Sequence, residues 1–101
     1  MNQKVRVPRE EIREFCRRHH IVRLSLFGSV LTPDFGLESD IDVLVEFEPS
    51  RSPGLLRLAE LENELSALFG GRKVDLRTPQ DLSRYFRDEI IASAEVQYAA
   101  G

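Results

Sequence analysis

The segment Asp40-Ile41-Asp42-Val43-Leu44-Val45-Glu46-Phe47 leaves little freedom in how it can fold. It is dense in branched and aromatic β-formers, so it reads as a strand. Side chains alternate across a strand, so Ile41, Val43 and Val45 enter a core while Asp40 and Asp42 share the other face, about 6.5–7 Å apart at Cα. Two carboxylates so placed can converge on one ion, or on two ions roughly 3.5–4 Å apart. Upstream stand Leu26-Phe27-Gly28-Ser29, and ten residues separate Ser29 from Asp40.

The rest of the chain alternates helix and strand signals. Residues 8–20 read as a helix with Pro8 in its first turn and Ile12, Phe15 and Cys16 on one face. Ile21 to Phe27 reads as a strand closed by Gly28, and residues 29–39, broken by Pro33 and Gly36, as a turn of helix followed by a loop. Asp40 to Phe47 is the second strand, and Pro49 to Pro53 a loop. Leu55 to Phe69 is an amphipathic helix carrying Leu58, Leu61, Leu65 and Leu68, stopped by Gly70-Gly71. Lys73 to Arg77 is a third, short strand. Thr78 then caps a helix with Pro79 at its first position, continued by Leu82, Phe86, Ile90 and Ala94. This order predicts α/β (α+β) layering, with a small mixed sheet of three to four strands flanked by helices. At 101 residues, a single domain over 1–101 is expected.

Composition narrows the function. The chain is 42% hydrophobic and 31% charged, as folded proteins are, and its net charge of −3 argues against a general nucleic-acid binder. Cys16 is the only cysteine, so no intramolecular disulfide forms, which fits a reducing cytoplasm. The charged N-terminal segment has no apolar run, so neither a signal peptide nor a membrane span is expected, and the expected location is cytoplasmic.

A third carboxylate follows from the alternation of Lys73-Val74-Asp75-Leu76, which turns Asp75 away from Val74 and Leu76. With the second and third strands adjacent, Asp75 lies beside Asp40 and Asp42. Three carboxylates on one face repel without cations. Hard oxygen ligands of this kind suit Mg²⁺, which is commonly held by one or two carboxylates plus substrate phosphates. Gly28 lets backbone approach a phosphate, and Ser29 adds a hydroxyl beside the N–H groups of the following helical turn. The chemistry that suits this set is in-line attack on phosphorus, with Asp75 nearest the incoming hydroxyl.

Gly28-Ser29, the gap of ten, Asp40-x-Asp42 and the later Asp75 resemble the signature of the DNA polymerase β-like nucleotidyltransferases. The length, the run Ser39 to Phe47 and Lys73-Val74-Asp75-Leu76-Arg77-Thr78-Pro79 are most similar to the minimal nucleotidyltransferase (MNT) branch, over roughly residues 10–98. The resemblance implies the polymerase β-like fold and an antitoxin that transfers AMP from Mg-ATP to a tyrosine of a partner HEPN-domain toxin, blocking its RNase activity. It implies metal binding by Asp40 and Asp42, a triad completed by Asp75, and phosphate binding by Gly28 and Ser29. Many family members carry arginines after Gly-Ser, where this chain has Val30-Leu31-Thr32-Pro33-Asp34-Phe35-Gly36; a lost arginine removes a phosphate contact.

Other readings compete. A binding module would neutralise the toxin by masking it, without catalysis. A transferase for small molecules such as aminoglycosides would be expected to carry a further domain beyond Gly101, and a polymerase a basic groove. Ser29 also reads as a helix cap. His19-His20 are adjacent on a helix and diverge, which makes them poor joint metal ligands. Arg13, Arg17, Arg18 and Arg23 read as a solvated face or as a dock for an acidic partner. Cys16 reads as core, and Tyr85 or Tyr98 as an interface residue.

Overall fold

A computed structural model describes residues 7–36 and 38–100; expectations touching residues 1–6, Leu37 and Gly101 lie outside the described residues. The elements run α1 (Arg9–Arg18), β1 (Ile21–Phe27), a 3-10 turn (Gly28–Leu31), β2 (Ile41–Phe47), α2 (Leu55–Leu68), β3 (Val74–Arg77), a second 3-10 turn (Pro79–Asp81), α3 (Arg87–Ser93) and β4 (Glu95–Ala99). The sheet order is β3-β2-β1-β4. β1 pairs antiparallel with β2 and β4, whereas β2 and β3 run parallel. A parallel step needs a crossover, and α2 supplies it.

Register divides the sheet into two chemically different faces. Leu24 pairs with Val45, Leu26 with Val43, and Ile41 with Val74. These residues join Ile12, Phe15 and Cys16 of α1 and Leu61 and Leu65 of α2 in one buried cluster. Both helices therefore cover this face, α1 lying on β1 and β4 and α2 on β3. The other face carries Ser25, Phe27, Asp42, Leu44, Asp75 and Arg77. β3 is an edge strand, and its Leu76 N–H donates to Glu62 Oε2 of α2 at 2.8 Å, so α2 also occupies a group on that edge.

Several boundaries differ from the sequence expectation. α1 starts after Pro8, which is its N-cap residue, and ends at Arg18. α2 stops where Gly70 and Gly71 both take left-handed φ, at +73° and +86°, as expected for a glycine stop. The expected continuous helix from Thr78 to Ala94 is broken. Thr78 N and Oγ1 both donate to the Asp81 carboxylate, closing a capping box, but Leu82 is extended and the turn ends there. Arg87 explains the break. Its Nε donates to the Pro79 carbonyl at 2.7 Å and its Nη2 to the Leu82 carbonyl at 3.2 Å, taking acceptors that a continuing helix would have used. α3 buries none of its residues, and Phe86 stands 58% exposed. Glu95 to Ala99 then returns as a fourth strand, with Tyr98 packed against the core. Among the described residues no helix is long and apolar enough to cross a membrane.

Candidate active site

β2 begins at Ile41, held by a hydrogen bond from its N–H to the Lys73 carbonyl. Asp40 therefore sits just before the strand and Asp42 is its second residue. The parallel register sets Asp42 directly beside Asp75, and the antiparallel register sets it opposite Phe27. Neighbouring strands lie about 4.8 Å apart, so the two carboxyls are adjacent on one face. The strand pairing thus gathers all three acids singled out in the sequence at one end of the sheet.

Gly28 is part of the same construction. Its φ is +74°, and a Cβ placed on it would lie 2.3 Å from Asp42 Oδ2. Glycine is needed here twice over, for the left-handed backbone and for the room that the Asp42 carboxylate occupies. Ser29 follows inside the 3-10 turn, whose N-cap position is Phe27 and which has no side-chain cap. The reading of Ser29 as a helix cap is therefore corrected. Its carbonyl accepts from the Thr32 N–H and Oγ1, while its own hydroxyl makes no hydrogen bond among the described residues.

The charges are unevenly settled. The Asp42 carboxyl is pushed above its ordinary range, first by burial and then by repulsion from Asp75 and Asp40, with Arg77 partly offsetting. The two outer acids have cationic neighbours. Lys73 Nζ lies 3.9 Å from Asp40 Oδ2, and Arg77 grips Asp75 through Nε and Nη2, each at 3.2 Å. The hydrogen bond and charge of Asp75 raise the Arg77 guanidinium in turn. Lys73 and Arg77 were not singled out from the sequence. Arg77 lies two positions from Asp75 in β3, so the alternation that placed Asp75 also placed it on that face, and Lys73 stands just before the strand.

The segment after Ser29, residues 30–36, takes a guanidinium from outside itself. It contains no arginine, yet one reaches it from elsewhere. The Arg72 guanidinium stacks 4.7 Å from the Phe35 ring centroid and donates to the Gly36 and Ser39 carbonyls at 2.8 and 3.2 Å. Phe35 is buried and Arg72 staples the loop that leads into Asp40.

The donor set fits a hard divalent cation in kind: three carboxylates share one sheet face, and the central one is held against its own repulsion. Among the described residues no three His, Cys, Asp or Glu side chains already surround a common ion position. The outer acids are instead turned to Lys73 and Arg77. Both pairs are more than one-third exposed, 80% and 41% for Lys73 and Asp40, 47% and 36% for Arg77 and Asp75. Such exposed pairs are worth about 1 kcal/mol or less and yield readily to a divalent ion.

Other candidates resolve plainly. His19 bonds Glu64 and Arg57 while His20 faces Glu48, so the two histidines do diverge. Arg13, Arg18 and Arg23 pair with Glu10, Glu64 and Glu46 respectively. Cys16 is fully buried, and burial pushes its thiol up to about 12. Tyr85 is 79% exposed, whereas Tyr98 lies against the core.

Comparison with known proteins agrees with this architecture. Residues 9–97 match the family model of the nucleotidyltransferase domain. Protein adenylyltransferase MntA of Thermococcus cleftensis is 41% identical over 68 residues, covering 67% of this chain and 63% of that protein. A solved structure assigned as a minimal nucleotidyltransferase superposes with a TM-score of 0.69 at 36% identity, covering 85% of each chain. A tri-AMPylated Shewanella oneidensis HEPN toxin in complex with MNT antitoxin contains a chain of like fold, with a TM-score of 0.65 at 19% identity, covering 91% of this chain and 70% of that one. The α+β layers, the acids at the β1–β2 end and the match over nearly the whole chain place this protein in the nucleotidyltransferase domain family, among homologues of the minimal nucleotidyltransferases.

Proposed function

We propose that this chain transfers AMP from Mg-ATP to a hydroxyl of a partner protein, a tyrosine of a HEPN-domain toxin, and so acts as that toxin's antitoxin. The observation that carries the reading is the Asp42–Asp75 register with Gly28 cut away to admit the Asp42 carboxylate. A relative named as a protein adenylyltransferase and a fold neighbour seen with a tri-AMPylated HEPN toxin support the choice of donor and acceptor.

Asp40, Asp42 and Asp75 would hold Mg²⁺, which when bound neutralises phosphate charge and acidifies an acceptor hydroxyl. This chain's own groups do the rest. Gly28, with no side chain, lets a phosphate lie against the backbone, and Ser29 Oγ donates to a phosphate oxygen. An Asp75 oxygen, released from Arg77, accepts the proton of the acceptor hydroxyl. The acceptor oxygen bonds to the α-phosphorus as the bond to the leaving pyrophosphate breaks, and Arg77 remains beside the developing charge. Tyr85 and Phe86, 79% and 58% exposed, offer apolar surface for the partner that brings the acceptor.

The test is transfer of label from ATP marked at its α-phosphorus to the co-purifying partner, with Asp40→Asn/Asp42→Asn as control. Label on the partner with the unaltered chain alone is the expected result. A stable complex without label, with the toxin still neutralised, would replace transfer by simple masking.

A further inference from the structure

At the opposite end of the β1–β2 ladder the chain builds a second polar site that the transfer reaction does not use. Arg18 and His19 end α1, His20 follows with a left-handed φ of 59°, and Arg51 and Arg57 come from the loop before α2 and from α2 itself. These five side chains line a cavity of about 230 Å³, floored by Pro53 and Leu61. No acid lines it, although the chain as a whole carries a net charge of −3. Seven residues of β1 separate it from Gly28, roughly 20 Å of strand, so it is not an extension of the carboxylate site.

The cations are not equally free. Arg18 and His19 are held by Glu64, Arg57 by Glu60, and His20 faces Glu48 at 3.5 Å. These glutamates lie outside the cavity lining and fix the cations in place. The Arg51 side chain makes no ion pair or hydrogen bond among the described residues. The cavity is thus lined by arginines and histidines fixed in place, with one guanidinium left uncompensated among the described residues. Its first-turn neighbours in α2 add no acid. Guanidinium forks match the oxygens of a phosphoryl group in geometry and charge. Size selects further. A water occupies about 30 Å³, so the cavity admits a phosphate or diphosphate, but it falls short of the roughly 300–1,000 Å³ of pockets that engulf whole organic ligands.

We infer that the Arg18/His19/His20/Arg51/Arg57 cavity binds a phosphoryl oxyanion, with Arg51 as its principal free donor. The source is a free phosphate or diphosphate, or the phosphate end of a nucleotide whose base stays outside. The site is independent of the proposed transfer chemistry.

The test is an NMR titration of the full chain in EDTA, where the carboxylate end repels anions. Inorganic phosphate, pyrophosphate and AMP are added separately at ionic strength held constant with sodium chloride, because exposed charges are screened by salt. Saturable shifts of the Arg51 and Arg57 side-chain and His19 and His20 ring signals are expected, with the Gly28 and Ser29 amides unmoved. Arg51→Ala should weaken binding about tenfold, and Arg51→Lys, which keeps the charge but loses the fork, by a smaller factor. Binding of AMP tighter than phosphate assigns the site to a nucleotide; phosphate or pyrophosphate at least as tight assigns it to the free oxyanion. Shifts that never saturate, that sodium chloride alone reproduces, that fall on Gly28 and Ser29, or that ignore Arg51→Ala would overturn the inference.

Discussion

Where β1 ends and β2 begins, Phe27 pairs with Asp42 and three carboxylates gather; where β1 begins and β2 ends, Ile21 pairs with Phe47 and arginines and histidines gather. The two ends settle their charge differently. At the basic end, burial alone would raise Glu64, but its bonds to Arg18 and His19 and their charges outweigh that and hold it below its ordinary value. At the acidic end, cations hold the outer acids while Asp42, between them, is left raised by burial and repulsion. One end is satisfied around its acid and clasps α1 to α2. The other keeps an unsatisfied carboxylate beside a glycine that has made room for it. The acidic end keeps a repulsion that a bound cation would relieve, whereas the basic end uses its one shared acid to hold two helices together.

The largest effect separating the two ends is expected from Asp42→Asn. Label transfer to the partner should fall by about 10³-fold or more, as when one member of a catalytic unit is removed. The same change should stabilise the fold by about 0.5–2 kcal/mol at neutral pH. The sign follows from linkage. A carboxyl raised in the folded state binds its proton more tightly there, so stability falls as pH climbs through and above 3.8, and the amide escapes that loss. The gain should vanish near about pH 3, where the unaltered Asp42 is also protonated. Thermal melts across pH measure this. A variant less stable at neutral pH would mean that Asp42 is as well satisfied as Glu64.

Next in size is Gly28→Ala. A methyl group aimed 2.3 Å from Asp42 Oδ2, on a backbone at φ +74°, should cost about 1–3 kcal/mol and reduce transfer roughly 100-fold. The two causes come apart in a double-variant cycle. With Asp42→Ala already present the collision is gone, and Gly28→Ala should cost only the left-handed strain, about 1–2 kcal/mol. Equal costs in both backgrounds would show that Gly28 serves its backbone alone.

At the basic end, Glu64→Gln should destabilise by about 0.5–1 kcal/mol at neutral pH, because solvent screens its one-third-exposed carboxylate, and leave transfer unchanged. Glu64 is held below 4.5, so its contribution is complete above that value and is lost as pH falls beneath it. The melting curves of the variant and the unaltered chain should therefore converge in acid. A loss of transfer in this variant would couple the two ends and break the contrast between them.

How much of this could be read from residues alone depended on range. β1 was legible to the residue, because Ile21 to Phe27 is an uninterrupted β-forming run closed by glycine. Asp42 and Asp75 were legible as a pair because alternation in two strands needs only adjacency to bring them together. Long-range side chains were not. Arg87 breaks the expected C-terminal helix by reaching back to Pro79 and Leu82, and no local propensity reports that. β4 is short and follows seven residues of helix with no buried face, so its strand character came only from pairing with β1. Gly28 was singled out for phosphate, whereas the space a side chain there would fill is taken by the Asp42 carboxylate, a placement set by register.

The smallest effect tests whether the acidic end depends on a staple of its own. Arg72 connects the start of β3 to the loop before Asp40 through the Phe35 ring and the Gly36 and Ser39 carbonyls. An exposed cation–π contact is worth about 0.5–1 kcal/mol, and bonds from a charged donor add to it. Arg72→Ala should therefore cost about 1 kcal/mol in stability and lower transfer only severalfold, since it frees the approach to Asp40 without touching Asp42 or Asp75. Arg72→Lys should recover little, because an ammonium neither stacks on Phe35 as a plane nor forks to two carbonyls. Hydrogen exchange at the Ser39 amide, which donates to the Gly36 carbonyl at 3.1 Å, reads the loosening directly. Faster exchange there with Asp42 still raised would place the loop outside the strained centre. Faster exchange with Asp42 relaxed would show that the repulsion at this end is held in part by Arg72, which follows α2 and reaches the loop through the Phe35 ring and two backbone carbonyls.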